Sequence, residues 1–402
     1  MDVAFFTDSY VPTPDGVAQV VHALARQLRR WGHGVRVFTM NPVHGRPTER
    51  VEVDGIPVVR VRSLPLPMYS QYGIGFVPWK AVRREGLQDE VQAIHLHSPG
   101  TMGATAFLAA RHYHKPLVGT FHTDVWGARD SFPPTMAVRA LFRIAAWFCA
   151  GTYLRCDVTT APTPGGRDAL LATSRKPFRR PVEVVPNGIE IERFRPGIAR
   201  PDWKFRCGLP DSPLVSYLGR LTVDKGVHRF LDAISELSAD EGFSAIVGGT
   251  GPEEDSVRQR VSKEPGLAGR VRYVGSVAEE EKAALLSQSD LFVIPSTSDT
   301  ASVSLLEAMA SGAACVVSDV GGPHDLVASG ASAQLVSVEA PGALSSAISE
   351  LLRDPVARDR LRAGGVEYVQ RQASIEVTAS RLLKIYGRLL EDREYGRRLP
   401  AG

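Results

Sequence analysis

Val3-Ala4-Phe5-Phe6-Thr7, the turn Val11-Pro12-Thr13-Pro14-Asp15-Gly16, a helical run ending at Trp31, and Val35-Arg36-Val37-Phe38-Thr39 together decide the fold. The outer pieces are short apolar runs of the length of a buried strand. Between them Val17, Val20, Val21, Leu24, Leu28 and Trp31 recur with a helical period, and Arg26, Arg29 and Arg30 fall on the other side. Gly32-His33-Gly34 ends the helix. Residues 3–39 therefore make one βαβ unit, which implies a parallel sheet.

Downstream the rhythm continues. Strands are expected at Ala93–His97, Pro116–Phe121, Val158–Ala161 and Val182–Pro186. A stretch rich in Pro, Gly and charge, Phe194–Asp202, reads as a linker. The alternation then restarts with a strand at Leu214–Leu218, a helix at Val227–Leu237 and strands at Phe243–Val247, Val271–Val274, Leu291–Ile294 and Ala314–Val317. The expectation is an α/β protein of two doubly wound domains, residues 1–195 and 205–374. A helical tail within residues 375–402 would pack back onto the first.

Composition frames the function. At 402 residues the chain suits two domains of ordinary size, and 44% apolar with 23% charged residues is ordinary for a soluble globular protein. A net charge of +3 is too small to argue for nucleic acid, although a locally basic face would suit phosphate or an anionic membrane. Cys149, Cys156, Cys207 and Cys315 show no C-x-x-C spacing, so neither a metal site nor a disulfide framework is expected, and a cytoplasmic setting fits. The N-terminus lacks a basic n-region, and no run reaches the roughly 18 apolar residues of a membrane span.

In open parallel sheets ligands bind outside the C-terminal ends of the strands. There this chain carries Gly16, His122, Gly219-Arg220, Gly249-Thr250-Gly251, Asp299 and Gly321-Gly322. Within Ser298–Gly312 two carboxylates, Asp299 and Glu307, bracket a helix start near Ser302. That helix would aim backbone N–H groups, including those of Ser302 and Val303, at an anion such as a diphosphate. Glu307, a turn or so inside, is placed to accept hydrogen bonds from vicinal hydroxyls. Arg220 and Lys225, five residues apart on a Gly-bounded loop, offer a fork and a point charge for phosphate oxygens. His122 closes its strand and could meet a sugar hydroxyl, while His95 and His97 read as structural. The segment Met136–Phe148 mixes apolar, aromatic and basic residues; the reading preferred is a buried helix, the other a helix lying on a membrane.

Taken together, Asp15-Gly16, His122, Pro186-Asn187-Gly188-Ile189-Glu190, Gly219–Gly226, Gly249-Thr250-Gly251-Pro252 and the Ser298–Gly312 stretch through Gly321-Gly322-Pro323 resemble the family-four retaining glycosyltransferases. The resemblance covers nearly the whole chain. It implies a GT-B fold, two Rossmann-like domains facing across a cleft, with acceptor bound mainly by the first and a nucleotide-sugar donor by the second. It assigns Arg220 and Lys225 to the donor diphosphate, Glu307 to its ribose and Asp299 to sugar hydroxyls. The Gly16 loop goes to donor phosphate and sugar, and His122 to the reacting sugar. Gly219, Gly249, Gly251, Ser302 and Val303 complete the donor set.

The donor would be a UDP- or GDP-hexose used as cosubstrate, with no obligatory cofactor or metal. The acceptor would be a lipid or small molecule bearing a hydroxyl, with nucleic acid excluded. Similarity around Ser98-Pro99-Gly100, Thr123-Asp124-Val125 and Gly322–Leu326 to lipid-directed members points to a glycolipid or cell-envelope precursor, handled at the inner face of the membrane. A sugar-nucleotide epimerase and a non-catalytic nucleotide-sugar binder are the competing readings. The family pattern has Glu, then Phe-Gly, where this chain has Asp299, Ala301 and Ser302. Asp is one methylene shorter, and Ser302 keeps its N–H available while restricting backbone approach.

Overall fold

The computed structural model describes residues 1–13, 15–66, 69–75, 82–83, 87–122, 135–198, 203–238, 241–330 and 332–394. Among these the chain forms two compact units. The first runs to Gly188 and resumes at Ile375, and the second spans Ile189–Ser374.

The first unit is built on an eight-stranded sheet. Its strands are β1 (Asp2–Phe6), β2 (Gly34–Met40), β3 (Glu49–Val53), β4 (Ile56–Val61), β7 (Ala93–Leu96), β8 (Leu117–Thr120), β9 (Val158–Ala161) and β10 (Glu183–Val184), with β5 (Ser63–Leu66) and β6 (Tyr69–Gly75) forming a separate hairpin. The order is β10-β9-β8-β7-β1-β2-β4-β3, parallel except where β3 pairs with β4. Val3 and Phe5 of β1 face one core with Val21, Leu24 and Leu28 of α1 (Gly16–Arg30); Ala4 and Phe6 face the other with Met102 and Ala106 of α2 (Thr101–His112). Burial on both faces is why β1 reads as an unbroken apolar run.

The last helix of the described chain, Ile375–Glu394, returns to this sheet. Its Ile375, Leu382, Ile385 and Leu389 join the α1 side of the core, and the Thr378 hydroxyl donates to the Pro186 carbonyl at 2.8 Å. Each of those side chains contributes about 1.5–3 kcal/mol of burial.

In the second unit the strands are β11 (Leu214–Leu218), β12 (Ser244–Gly248), β13 (Val271–Gly275), β14 (Leu291–Ile294), β15 (Ala314–Ser318) and β16 (Gln334–Val336). All pair in parallel in the order β13-β12-β11-β14-β15-β16, the 3-2-1-4-5-6 arrangement of a dinucleotide-binding sheet. The order reverses between β11 and β14. The crevice expected of such a sheet therefore lies where the loops after these two strands leave it, and those loops carry Arg220, Lys225 and Asp299.

The expected linker differs from what is observed. The division falls at Gly188, and Phe194, 4% exposed, is part of the second unit's core with Trp203 and Leu209. Pro and Gly near 196–197 mark a tight surface connection; residues 199–202 lie outside the described part.

Candidate active site

In the second unit the loop after β11 is shaped by glycine and by Tyr217. Gly226 adopts φ 71°, and a Cβ there would fall 2.0 Å from the Pro295 carbonyl oxygen, so only glycine lets the two loops touch. The buried Tyr217 hydroxyl shares its proton between the carbonyls of Arg220 (3.1 Å) and Lys225 (3.2 Å), which pinches the loop closed. Thr297 N–H donates to the Asp224 carbonyl at 2.8 Å and ties the loop after β14 to it. Gly249 and Gly251 lie against the Gly219 and Leu221 carbonyls, where a Cβ would sit 1.8 and 2.4 Å away. They make room for the backbone of the Arg220 loop. Arg220 itself is exposed.

Lys225 Nζ reaches 3.1 Å from Asp299 Oδ2 and 3.3 Å from the Ser298 carbonyl. The other carboxylate oxygen, Oδ1, accepts the N–H groups of Ser302 (2.9 Å) and Ala301 (3.2 Å) in front of the helix Val303–Ser311. Burial pushes this carboxyl upward, but Lys225 and the two N–H groups outweigh it and hold Asp299 below its ordinary value of 3.8. Asp299 is thus an ionised carboxylate that takes the two N–H groups just ahead of the helix. The expectation that the Ser302 N–H is available is corrected: the shorter acid turns back and takes it.

Within the same helix Glu307 is 3% exposed, a buried carboxylate and not a solvated helix charge. Lys282, on the helix Glu279–Gln288, places Nζ 3.1 Å from both of its oxygens. Burial pushes the Glu307 carboxyl up, Lys282 offsets part of that, and the net effect leaves it above its ordinary value of 4.5. Against the lowering effect of burial, Glu307 and Glu279 hold Lys282 above its usual range. Neither Tyr217 nor Lys282 was singled out from sequence. Tyr217 looked like any strand residue, and Lys282 follows Glu279-Glu280-Glu281 as an ordinary solvated helix charge would.

The first unit gathers a second group at its strand ends. Gly16 starts α1 behind the cap Asp15, whose carboxylate accepts the Val17 N–H at 3.1 Å and the Ser9 hydroxyl at 2.7 Å. His122 Nε2 lies 3.1 Å from His97 Nδ1, and the two rings stack. Burial lowers His122 to about 4 and His95 to about 3, and drives His97 well below its ordinary value, so all three are neutral near pH 7. His95 is structural as expected, held by Tyr386 (2.6 Å) and Thr120 (2.7 Å). His97 is coupled to His122, and its buried Nε2 has no hydrogen-bond partner among the described residues.

The segment 136–148 departs from the preferred reading. The helix Met136–Tyr153 fully buries only Ala146, Ala150, Thr152 and Tyr153. Met136, Leu141, Ile144, Trp147 and Phe148 are exposed, Ile144 and Phe148 by 63% and 60%, with Arg139 and Arg143 among them and Arg175 stacked 3.7 Å over the Trp147 ring. An aromatic-rich run can face solvent as well as a core, and periodicity alone does not separate the two. Thr123-Asp124-Val125 lies outside the described residues. Among the described residues no helix is long and apolar enough to cross a membrane.

Residues 14–193 match the family model described as Glycosyltransferase Family 4, and residues 212–354 that described as Glycosyl transferases group 1. The chain is 31% identical over 367 residues to the GDP-mannose-dependent alpha-mannosyltransferase of Mycolicibacterium smegmatis, across 90% of this chain and 92% of that protein. This chain belongs to glycosyltransferase family 4. Another relative, the alpha-monoglucosyldiacylglycerol synthase of Streptococcus pneumoniae, is 25% identical over 78% of this chain and 70% of its own length. The sucrose-phosphate synthase of Thermosynechococcus elongatus shares the fold, with a TM-score of 0.78 at 20% identity over 97% of this chain and all of that one. The two Rossmann-like units of this glycosyltransferase are those of the GT-B class.

Proposed function

We propose that this glycosyltransferase moves a hexose from a nucleoside diphosphate sugar to a hydroxyl of a glycolipid or cell-envelope precursor, with retention at the anomeric carbon. The observation that carries the donor assignment is the anion hole at the β11/β14 switch point, where Lys225 and the N–H groups of Ala301 and Ser302 already hold a carboxylate. A diphosphate presents the same charge and acceptor oxygens. Arg220, exposed on the same loop, joins Lys225 in meeting the charge that grows on the departing diphosphate. Gly219, Gly249 and Gly251 set the backbone around them, Ser302 and Val303 present the helix start, and Glu307 takes the ribose.

Asp299 exchanges its backbone partners for sugar hydroxyls when donor enters. His122, neutral, and the Gly16 loop are the first unit's contribution to handling the reacting sugar. The acceptor hydroxyl attacks from the face the diphosphate leaves, and the leaving phosphate oxygen takes its proton.

The relative named for GDP-mannose makes that nucleotide sugar the first donor to try. The lipid acceptor rests on the exposed apolar and basic face of the helix Met136–Tyr153, which suits the surface of an anionic bilayer, and on the relative named for a diacylglycerol product. Work would then take place at the cytoplasmic membrane face. The test is a screen of UDP- and GDP-sugars for binding and hydrolysis, followed by transfer to lipid extracts with the product anomer read by NMR. An isomerised sugar nucleotide without acceptor would indicate an epimerase, and binding without turnover a non-catalytic subunit.

A further inference from the structure

The Glu307 carboxylate is carried inside a helix at a burial where an unpaired charge costs several kcal/mol. Among the described residues, what bonds it directly is the Lys282 ammonium on a different helix, with Arg193 further off also favouring the charge. Lys282 Nζ stands 3.1 Å from each Glu307 oxygen, so neither oxygen is favoured and the carboxylate plane is set by the lysine. Lys282 is itself fixed by Glu279 at 2.9 Å, Glu279 is held by Arg193 at 3.0 Å, and Arg193 lies 4.0 Å from Glu190. The groups facing Glu307 therefore alternate in sign back to the start of the second unit. Of its four lone-pair sites, an ionised carboxylate anchored this way keeps acceptors on both oxygens for a vicinal diol. A protonated one would replace an acceptor by a donor.

We propose that Lys282 is the positioning residue for nucleotide recognition: by holding both oxygens of Glu307 it orients that carboxylate to accept the two hydroxyls of a ribose. The inference rests on the assignment of Glu307 to the ribose in the proposed function. Its consequence is a preference for ribonucleotides over 2′-deoxyribonucleotides that holds from pH 6 to pH 8 better with the lysine than without it. Without the lysine, burial and the remaining Glu279 charge push the Glu307 carboxyl upward, and diol recognition then fades as pH falls.

The experiment is calorimetric titration of the full-length protein with GDP, UDP and their 2′-deoxy forms at pH 6 and pH 8, for wild type, Lys282→Met, Lys282→Arg and Glu307→Gln. Wild type should prefer the ribose form by about tenfold at both pH values, the worth of one hydrogen bond to a charged group. Lys282→Met should lower that ratio to about threefold or less at pH 6 with partial recovery at pH 8, and Lys282→Arg should restore it at both. Glu307→Gln should lose the preference at every pH. If Glu307→Gln loses it and Lys282→Met keeps the wild-type ratio at both pH values, the lysine assignment is overturned while the ribose assignment stands. If Glu307→Gln keeps it, the ribose assignment itself fails. Should Lys282→Met not fold, Lys282→Arg decides: loss of the ratio in a folded Arg variant means that the cation's charge does not hold Glu307 for the diol, which overturns the proposal.

Discussion

Replacing Asp299 by Asn removes one charge from the anion hole and leaves its shape. The carboxylate is 11% exposed, 3.1 Å from Lys225 Nζ and bonded to two backbone N–H groups. The amide oxygen still accepts from Ala301 and Ser302, but each bond drops from charge-assisted to neutral, a loss of about 1 kcal/mol apiece, and the Lys225 pair disappears. The second unit should lose about 2–4 kcal/mol of stability, seen as a lower denaturation midpoint. Binding should move the other way. Lys225 and the helix start no longer have an internal anion to exchange, so free GDP or UDP should bind as well as in wild type or up to about tenfold tighter, while transfer from the sugar nucleotide falls at least about 100-fold because the sugar hydroxyls lose their carboxylate. Calorimetry with the free nucleoside diphosphate, beside single-turnover transfer, separates the two. A loss of nucleotide affinity equal to the loss of transfer would refute the placeholder role.

Other outcomes follow from the same structure. His95, His97 and His122 are all held neutral by burial, below the 6.5 of an unfolded histidine, so the unfolded chain binds more protons and stability is lost as pH falls from 6.5 toward their folded values. At pH 5.5 that is about 1.4 kcal/mol for each; Asp8, raised by burial to about 6, works in the opposite sense by about 1 kcal/mol, and the net loss against pH 7.5 is about 3 kcal/mol. Denaturant melts at the two pH values measure it, and unchanged stability would contradict the neutral cluster. Ile144→Asp with Phe148→Asp should abolish co-sedimentation with anionic phosphatidylglycerol vesicles and leave nucleotide affinity unchanged; equal vesicle binding by the double variant removes the membrane role of that helix. Leu382→Ala should destabilise the first unit by about 2–4 kcal/mol, since it opens a cavity between the last helix and α1; a change below about 1 kcal/mol would show that helix to be loosely docked.

Much of the fold was legible because a parallel strand buried on both faces leaves an uninterrupted apolar signature. Val3–Phe6, Leu214–Leu218 and Leu291–Ile294 all carry it, and strand ends then point to the site residues. The antiparallel pair β3 and β4 escaped notice, although Asp54-Gly55, both at positive φ, is a two-residue hairpin signal. The division falls at Gly188 rather than within Phe194–Asp202: Pro and Gly mark a break in regular structure, and the buried Phe194 just ahead of Pro196 gives no such mark. The site was legible residue by residue, yet its pairings were not. That Asp299 turns back onto Ser302, or that Lys282 comes from another helix to Glu307, depends on packing between elements that no local spacing encodes.

The central claim is that the nucleotide binds the second unit at the β11/β14 switch point. Hydrogen exchange of the full-length protein with and without saturating GDP or UDP tests it most directly. Exchange should slow in residues 219–226 and 301–307, and Lys225→Met should abolish that protection. Slowing confined to the strand ends of the first unit, or none at a nucleotide concentration shown to bind, would contradict it.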